Sequence, residues 1–164
     1  MHDEFAIRSR DDPVTIRPAH AGDRGFVLAA TARLSAFGVP PGRSAPEIVD
    51  GEARTLRAYF DAASPPETLL IAETAGAPSG FVFLEEHEDY FTLATHGHIG
   101  ILIVAEAAEG RGVGAALLHA AEEWARSRGH ATLTLNVFEG NRRARTLYER
   151  SGFRPDTIKY RKAL

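Results

Sequence analysis

The segment "VAEAAEGRGVGAALLHAAEEWARSRG", Val104 to Gly129, sets Gly110, Gly112 and Gly114 at alternate positions between an apolar run and a helical pattern. Glycine reaches left-handed backbone conformations and puts no side chain between the amides and a ligand. The start of the helix adds unpaired N–H donors and about half a positive charge. Arg111 adds a full charge in the same turn. Such a turn is suited to holding an anion; the plain alternative is a tight strand-to-helix connection that binds nothing. Two other phosphate loops fit poorly. Ala115 and Ala116 follow Gly114 where a P-loop needs Lys and Ser or Thr, and Leu117 stands where a dinucleotide fingerprint needs its third glycine. Nucleotide hydrolysis and hydride transfer are therefore disfavoured, and the lack of G-x-S-x-G disfavours a serine hydrolase.

The elements around this turn belong to one domain. A chain of 164 residues, 44% hydrophobic and 25% charged, can bury a single core. A net charge of -3 argues against nucleic-acid binding. No apolar run approaches the ~18 residues of a membrane span, and "MHDEFAIRSRDDP" lacks signal-peptide features, so a cytoplasmic address with no membrane partner is expected. Residues 1–12 read as a loose extension. "VTIRPA" reads as a strand, followed by a helix with Asp23 as its cap, the loop "GVPPGRSAP", and a second helix over "EIVDGEARTLRAYFDAA". "TLLIAETAGAPSGFVFLEE" reads as two strands about a turn, and "HGHIGILIV" as a strand buried on both faces. The acidic stretch "EEHEDY", with Glu85, Glu86, Glu88 and Asp89, then falls in a connection between strands. Val113, Leu117, Ala121 and Trp124 form the buried stripe of a long helix stopped by Gly129. A strand "ATLTLNV", a short helix "NRRARTLYERSG" and a terminal strand from near Phe153 complete the pattern.

With "EGRGVG" (Glu109 to Gly114) and "LNVFEGNRRARTLYERSGF" both in view, the sequence resembles the GNAT superfamily of acyl-CoA-dependent N-acetyltransferases. The resemblance implies an α/β fold: a central, mostly antiparallel mixed sheet with a splayed parallel strand pair and helices on both faces, as a single domain over residues 1–164. It implies acetyl-CoA as co-substrate and no metal. Gly110, Arg111, Gly112, Val113 and Gly114 would hold its pyrophosphate. Backbone groups of Leu102 and Val104 would bind the pantetheine arm between "ILIV" and "TLTLNV". Asn141 would cap the short helix, contact the ligand, or both. Glu109 departs from the Gln or Arg usual in the family, so its carboxylate must turn away from the pyrophosphate or weaken binding. The partner would be the amine of a small molecule or of a peptide or protein, with a homodimer left open. A non-catalytic CoA-binding sensor or interaction module is the rival reading.

Amine acetylation needs particular groups. A lysine-like amine, with a pKa of about 10.4, must lose a proton before it attacks a thioester. The departing thiolate gains from a proton donor. Tyr148, in the "LY" pair, takes the family's general-acid position, with a core aromatic as the plain alternative. His98 falls where some members carry a base, and alternation puts His98, Gly100 and Leu102 on one face. A histidine titrating near 6.5 suits that role, and a half-buried structural histidine is the competing reading. His96 and His98 could pair on a metal, but no third ligand stands out. With no cysteine in the chain, an acyl-cysteine intermediate is impossible and transfer would be direct.

Overall fold

The computed structural model describes residues 13–164; the stretch 1–12, expected to be loose, lies outside them. The order is β1 (Thr15–Pro18), α1 (Arg24–Ala30), α2 (Ala45–Asp61), β2 (Thr68–Thr74), β3 (Ala77–Glu88), β4 (Thr95–Val104), α3 (Val113–Ser127), β5 (Leu133–Leu135) and α4 (Arg142–Arg150), with short 3-10 turns between some of them. The strands form one sheet in the order β1-β2-β3-β4-β5. All neighbours are antiparallel except β4 and β5, which run parallel. This is the mixed α/β architecture expected from the sequence.

Each sheet face buries its own cluster. Val82, Leu84 and Ile99 pack with Val113, Leu117 and Ala121 of α3, and Leu147 and Tyr148 of α4 join at the edge. On the opposite face Ile71, Phe81, Phe83, Ile101 and Ile103 pack with Val27 of α1 and Leu56 of α2. Such side chains contribute about 1.5–3 kcal/mol each on burial, so both helical layers are tied to the sheet by apolar contact. Local signals set the ends of the elements. Ser44 accepts from the Glu47 N–H while the Glu47 carboxylate accepts from the Ser44 N–H, a reciprocal cap that starts α2. Ala75 and Gly76, both at positive φ, make the two-residue β2–β3 turn.

Four expectations are corrected. Asp23 makes no cap bond to α1; its buried carboxylate accepts from both terminal nitrogens of Arg17 and from the His20 N–H. That guanidinium holds the Asp23 carboxyl below the usual carboxylate range. Glu85, Glu86 and Glu88 are not in a connection: β3 runs through Glu88, and Asp89 begins a short turn by accepting from the Phe91 and Thr92 N–H groups. "ATLTLNV" forms a ladder only at Leu133–Leu135. The strand expected from Phe153 does not form; Phe153 packs on Tyr148 while Ile158 and Tyr160 stay exposed. A sixth strand would need the outer edge of the three-residue β5, and Pro155 lacks an N–H for it.

Candidate active site

The site begins at an irregularity in β4. Phe83 pairs with Ile101 and Leu84 pairs with Ile99, so Gly100 is an extra residue with no partner. One extra residue bends a strand and reverses the side-chain alternation beyond it. Ile99, Leu102 and Val104 therefore pack on the α3 face. Gly97 also faces α3, since a Cβ there would lie 3.0 Å from Trp124, and His98 consequently points to the other face. The expected common face of His98, Gly100 and Leu102 is corrected: His98 and Gly100 share it, and the bulge turns Leu102 away. A Cβ at Gly100 would sit 2.7 Å from the Glu85 carboxylate, which accounts for glycine there.

The bulge also ends the parallel pairing. β5 meets β4 only at Gly97, His98 and Ile99, leaving Gly100 to Val104 without a partner on that side. The Ala105 N–H donates to the Ser79 carbonyl, so antiparallel alternation turns the amides and carbonyls of Leu102 and Val104 away from β3 and into the gap. An extended ligand can bond to both.

The glycine turn follows after a short 3-10 turn, Glu106–Ala108. Gly110 (φ 71) and Gly112 (φ 78) are left-handed, and a Cβ at either would meet nothing within 4 Å. The space above the turn is open. Ala116 N–H makes the first helical bond, to the Gly112 carbonyl, and the amides of Val113, Gly114 and Ala115 lack partners within the helix. Gly114 serves packing instead. A Cβ there would press to 2.9 Å on Leu147, so the glycine lets α4 approach α3. Arg111 is exposed in the turn. Glu109 turns to Arg143, 2.6 Å away, and to Arg33, which also bonds its carboxylate. The Arg143 bond and both nearby guanidinium charges hold the Glu109 carboxyl below its ordinary range. Both arginines lie over the Phe37 ring. The acidic departure in the motif is thus neutralised by two cations, neither of which adjoins it in sequence.

Asn141 caps α4 by accepting from the Ala144 N–H at 3.1 Å. Further along the helix, Tyr148 sits at the edge of the α3-side core, 6.0 Å from Phe153 between ring centres. Burial raises its pKa, so the phenol holds its proton at neutral pH. Its hydroxyl makes no side-chain hydrogen bond among the described residues.

His98 is only 7% exposed. Its Nδ1 lies 2.8 Å from Thr134 Oγ1, and that hydroxyl lies 3.5 Å from the Gly97 carbonyl. A hydroxyl that donates to the carbonyl accepts from Nδ1–H, which leaves Nε2 with the free lone pair. Burial first, then the nearby His87 and His96, push the His98 pKa down to about 4, well below the expected 6.5. The imidazole is neutral across the physiological range. His98 stacks on His87 at 4.1 Å, and the residues gathered about it are Glu85 and His87 rather than the sequence neighbour His96. Glu52 of α2 is a residue that the sequence reading does not single out. It is half-buried, and burial together with the Glu85 charge raises its pKa. Its one visible signal is an acidic residue between Ile48 and Leu56, within the buried span of an amphipathic helix. On the same face, a cleft of about 460 Å³ opens beside Phe26, Arg33 and Ala105, and one of about 420 Å³ lies between Tyr59 of α2 and Phe83.

Comparison with known proteins gives the family and the likeness of fold. The model of the acetyltransferase (GNAT) family matches residues 40–153. Over 143 residues the chain is 34% identical to a mycothiol acetyltransferase of Thermomonospora curvata, covering 87% of this chain and 44% of that protein. It is 36% identical over 89 residues to the uncharacterized N-acetyltransferase YhfO of Bacillus subtilis, covering 54% of this chain and 60% of that one. The chain thus spans about half the length of these relatives. Among solved structures, aminoglycoside N-acetyltransferase AAC(6')-Iy in complex with CoA superposes with a TM-score of 0.69 at 19% identity, over 94% of this chain and 98% of that one, a likeness of fold.

Proposed function

We propose that this chain, which belongs to the acetyltransferase (GNAT) family, moves an acetyl group from acetyl-CoA directly to a primary amine of a small molecule or of a peptide or protein. The observation that carries the reading is the succession of two features: the unpaired edge of β4 from Gly100 to Val104 leads, through one short 3-10 turn at Glu106–Ala108, to the left-handed Gly110–Gly112 turn. An extended thiol arm ending in a pyrophosphate has that shape. The backbone of Leu102 and Val104 would bind the arm, and the amides from Gly110 to Gly114, with Arg111, would bind the phosphates. Asn141 would orient the start of α4 beside it. The amide turned into the gap near Val104 would stabilise the oxyanion.

The amine approaches from the α1–α2 face. Glu52 and Glu85 would favour a cationic acceptor there. His98 Nε2 would relay the proton that the amine sheds as it attacks the thioester, directly or through water, while Thr134 holds the ring. Tyr148 would return a proton to the departing thiolate. The chain has no cysteine to carry an acyl group, which supports one direct step. The rival reading, a CoA-binding module without turnover, draws its support from Glu109. The two arginines that neutralise that carboxylate remove much of the reason for it.

The test is thiol release from acetyl-CoA, measured with and without a panel of amines and peptides. Release that depends on the amine is expected; CoA binding without release on any acceptor would establish the rival. In the same assay His98→Ala should lower kcat/KM by roughly a hundredfold or more, with acetyl-CoA affinity nearly unchanged. The base must be neutral, so its limb of the wild-type kcat/KM profile should fall near pH 4, activity being present above that and lost below. A variant with the wild-type rate would return His98 to a structural role.

A further inference from the structure

The β3–β4 hairpin gathers three side chains able to ligate a cation, Glu85, His87 and His98, of which only His87 has no part in the proposed transfer. Glu85 stands opposite His98 in the antiparallel ladder, and His87 stands opposite His96. Positions two apart on one strand share a face, so all four point to the same side of the sheet. One ligand atom from each of Glu85, His87 and His98 lies within 4.8 Å of the others. His87 Nε2 is 3.5 Å from Glu85 Oε2.

We propose that this hairpin binds a divalent transition-metal ion of the zinc class, with Glu85, His87 and His98 as ligands. Two imidazoles and a carboxylate suit zinc, nickel or cobalt; magnesium and calcium prefer sites made wholly of oxygen. His98 already has the support that a ligating histidine needs. Its Nδ1 is held by the Thr134 hydroxyl, which itself reaches the Gly97 carbonyl, so Nε2 is the atom presented. Bonds of about 2.0–2.1 Å put tetrahedral ligand atoms roughly 3.4 Å apart, so the widest separation must contract by up to about 1.4 Å. His87 is exposed and supplies that motion by turning its ring out of the stack with His98. Three protein ligands leave a fourth position to water, as in an exchangeable site.

Cobalt(II) and zinc titrations of the full chain, freed of metal by a chelator and dialysed, test this. Expected are one ion per chain, tetrahedral ligand-field bands with cobalt, and loss of both in His87→Ala and Glu85→Gln. Removing a ligand should cost more than the roughly 10–100-fold that loss of a supporting partner costs, and Thr134→Val should fall within that range. Thermal unfolding in chelator checks that the variants fold; His87 is exposed, so its variant should match the wild type. No stoichiometric binding by the wild type, or equal binding by His87→Ala, would overturn the site. The ion would occupy the Nε2 lone pair, so zinc should also inhibit acetyl transfer. Binding without inhibition would leave the metal site standing and count against His98 as the proton relay.

Discussion

Tyr148→Phe is expected to lower kcat by roughly a hundredfold to ten-thousandfold while the affinity for acetyl-CoA stays close to wild type. Phenylalanine keeps the ring against Phe153 and the α3-side core, so the substitution removes the hydroxyl alone. That hydroxyl has no side-chain bond to lose among the described residues, and the fold should barely notice. Burial raises the phenol pKa, which keeps the proton in place until a thiolate forms nearby. A donor whose leaving thiol is more acidic needs less protonation and should restore most of the activity of the variant. An equal loss with both donors would point instead to misplacement of the thioester.

Gly112→Asp should abolish donor binding in a protein that still folds. At φ 78 a side chain is strained, yet aspartate tolerates left-handed backbone better than most residues, and a Cβ there enters open space. The harm is electrostatic: a carboxylate would occupy the mouth of the amide cluster proposed to hold the phosphates. At a hundredfold excess over its dissociation constant, CoA should stabilise the wild type by about 2.7 kcal/mol and the variant not at all. Differential scanning calorimetry with and without CoA measures this. Equal stabilisation of the two proteins would remove the turn from the binding site.

Much of this architecture is legible in the sequence because it follows periodicity and punctuation. Of the stripe Val113, Leu117, Ala121 and Trp124, the first three are buried and Trp124 is partly buried against the same core, and Gly129 closes the helix at φ 79. Asn141 does cap α4. What escapes the sequence depends on contacts across the chain. The bulge at Gly100 is a property of two strands, and a one-residue offset against β3 cannot be read from β4 alone; yet it decides the face of Leu102 and opens the gap beside it. Glu109 looks like a defect in its motif because Arg33 and Arg143, which neutralise it, lie 76 and 34 residues away. The His98 environment is hidden for the same reason. His87 and Thr134 reach it only through the ladder, and burial among them lowers a pKa that sequence alone leaves at 6.5. The terminal segment alternates in a strand-like way at Ile158 and Tyr160, but a three-residue β5 offers too little edge to pair with.

Acetyl transfer in one step, from the donor on the β4 edge to an amine on the α1–α2 face, is the claim on which the other roles depend. A single turnover with acetyl-labelled acetyl-CoA at a concentration equal to that of the protein, quenched over time and followed by mass spectrometry of both protein and acceptor, addresses it most directly. The label should leave the donor only when an amine is present and appear on that amine, and the protein should never gain the mass of an acetyl group. A labelled protein that forms before the product and passes its label on, or a donor that stays intact with every amine offered, would contradict it.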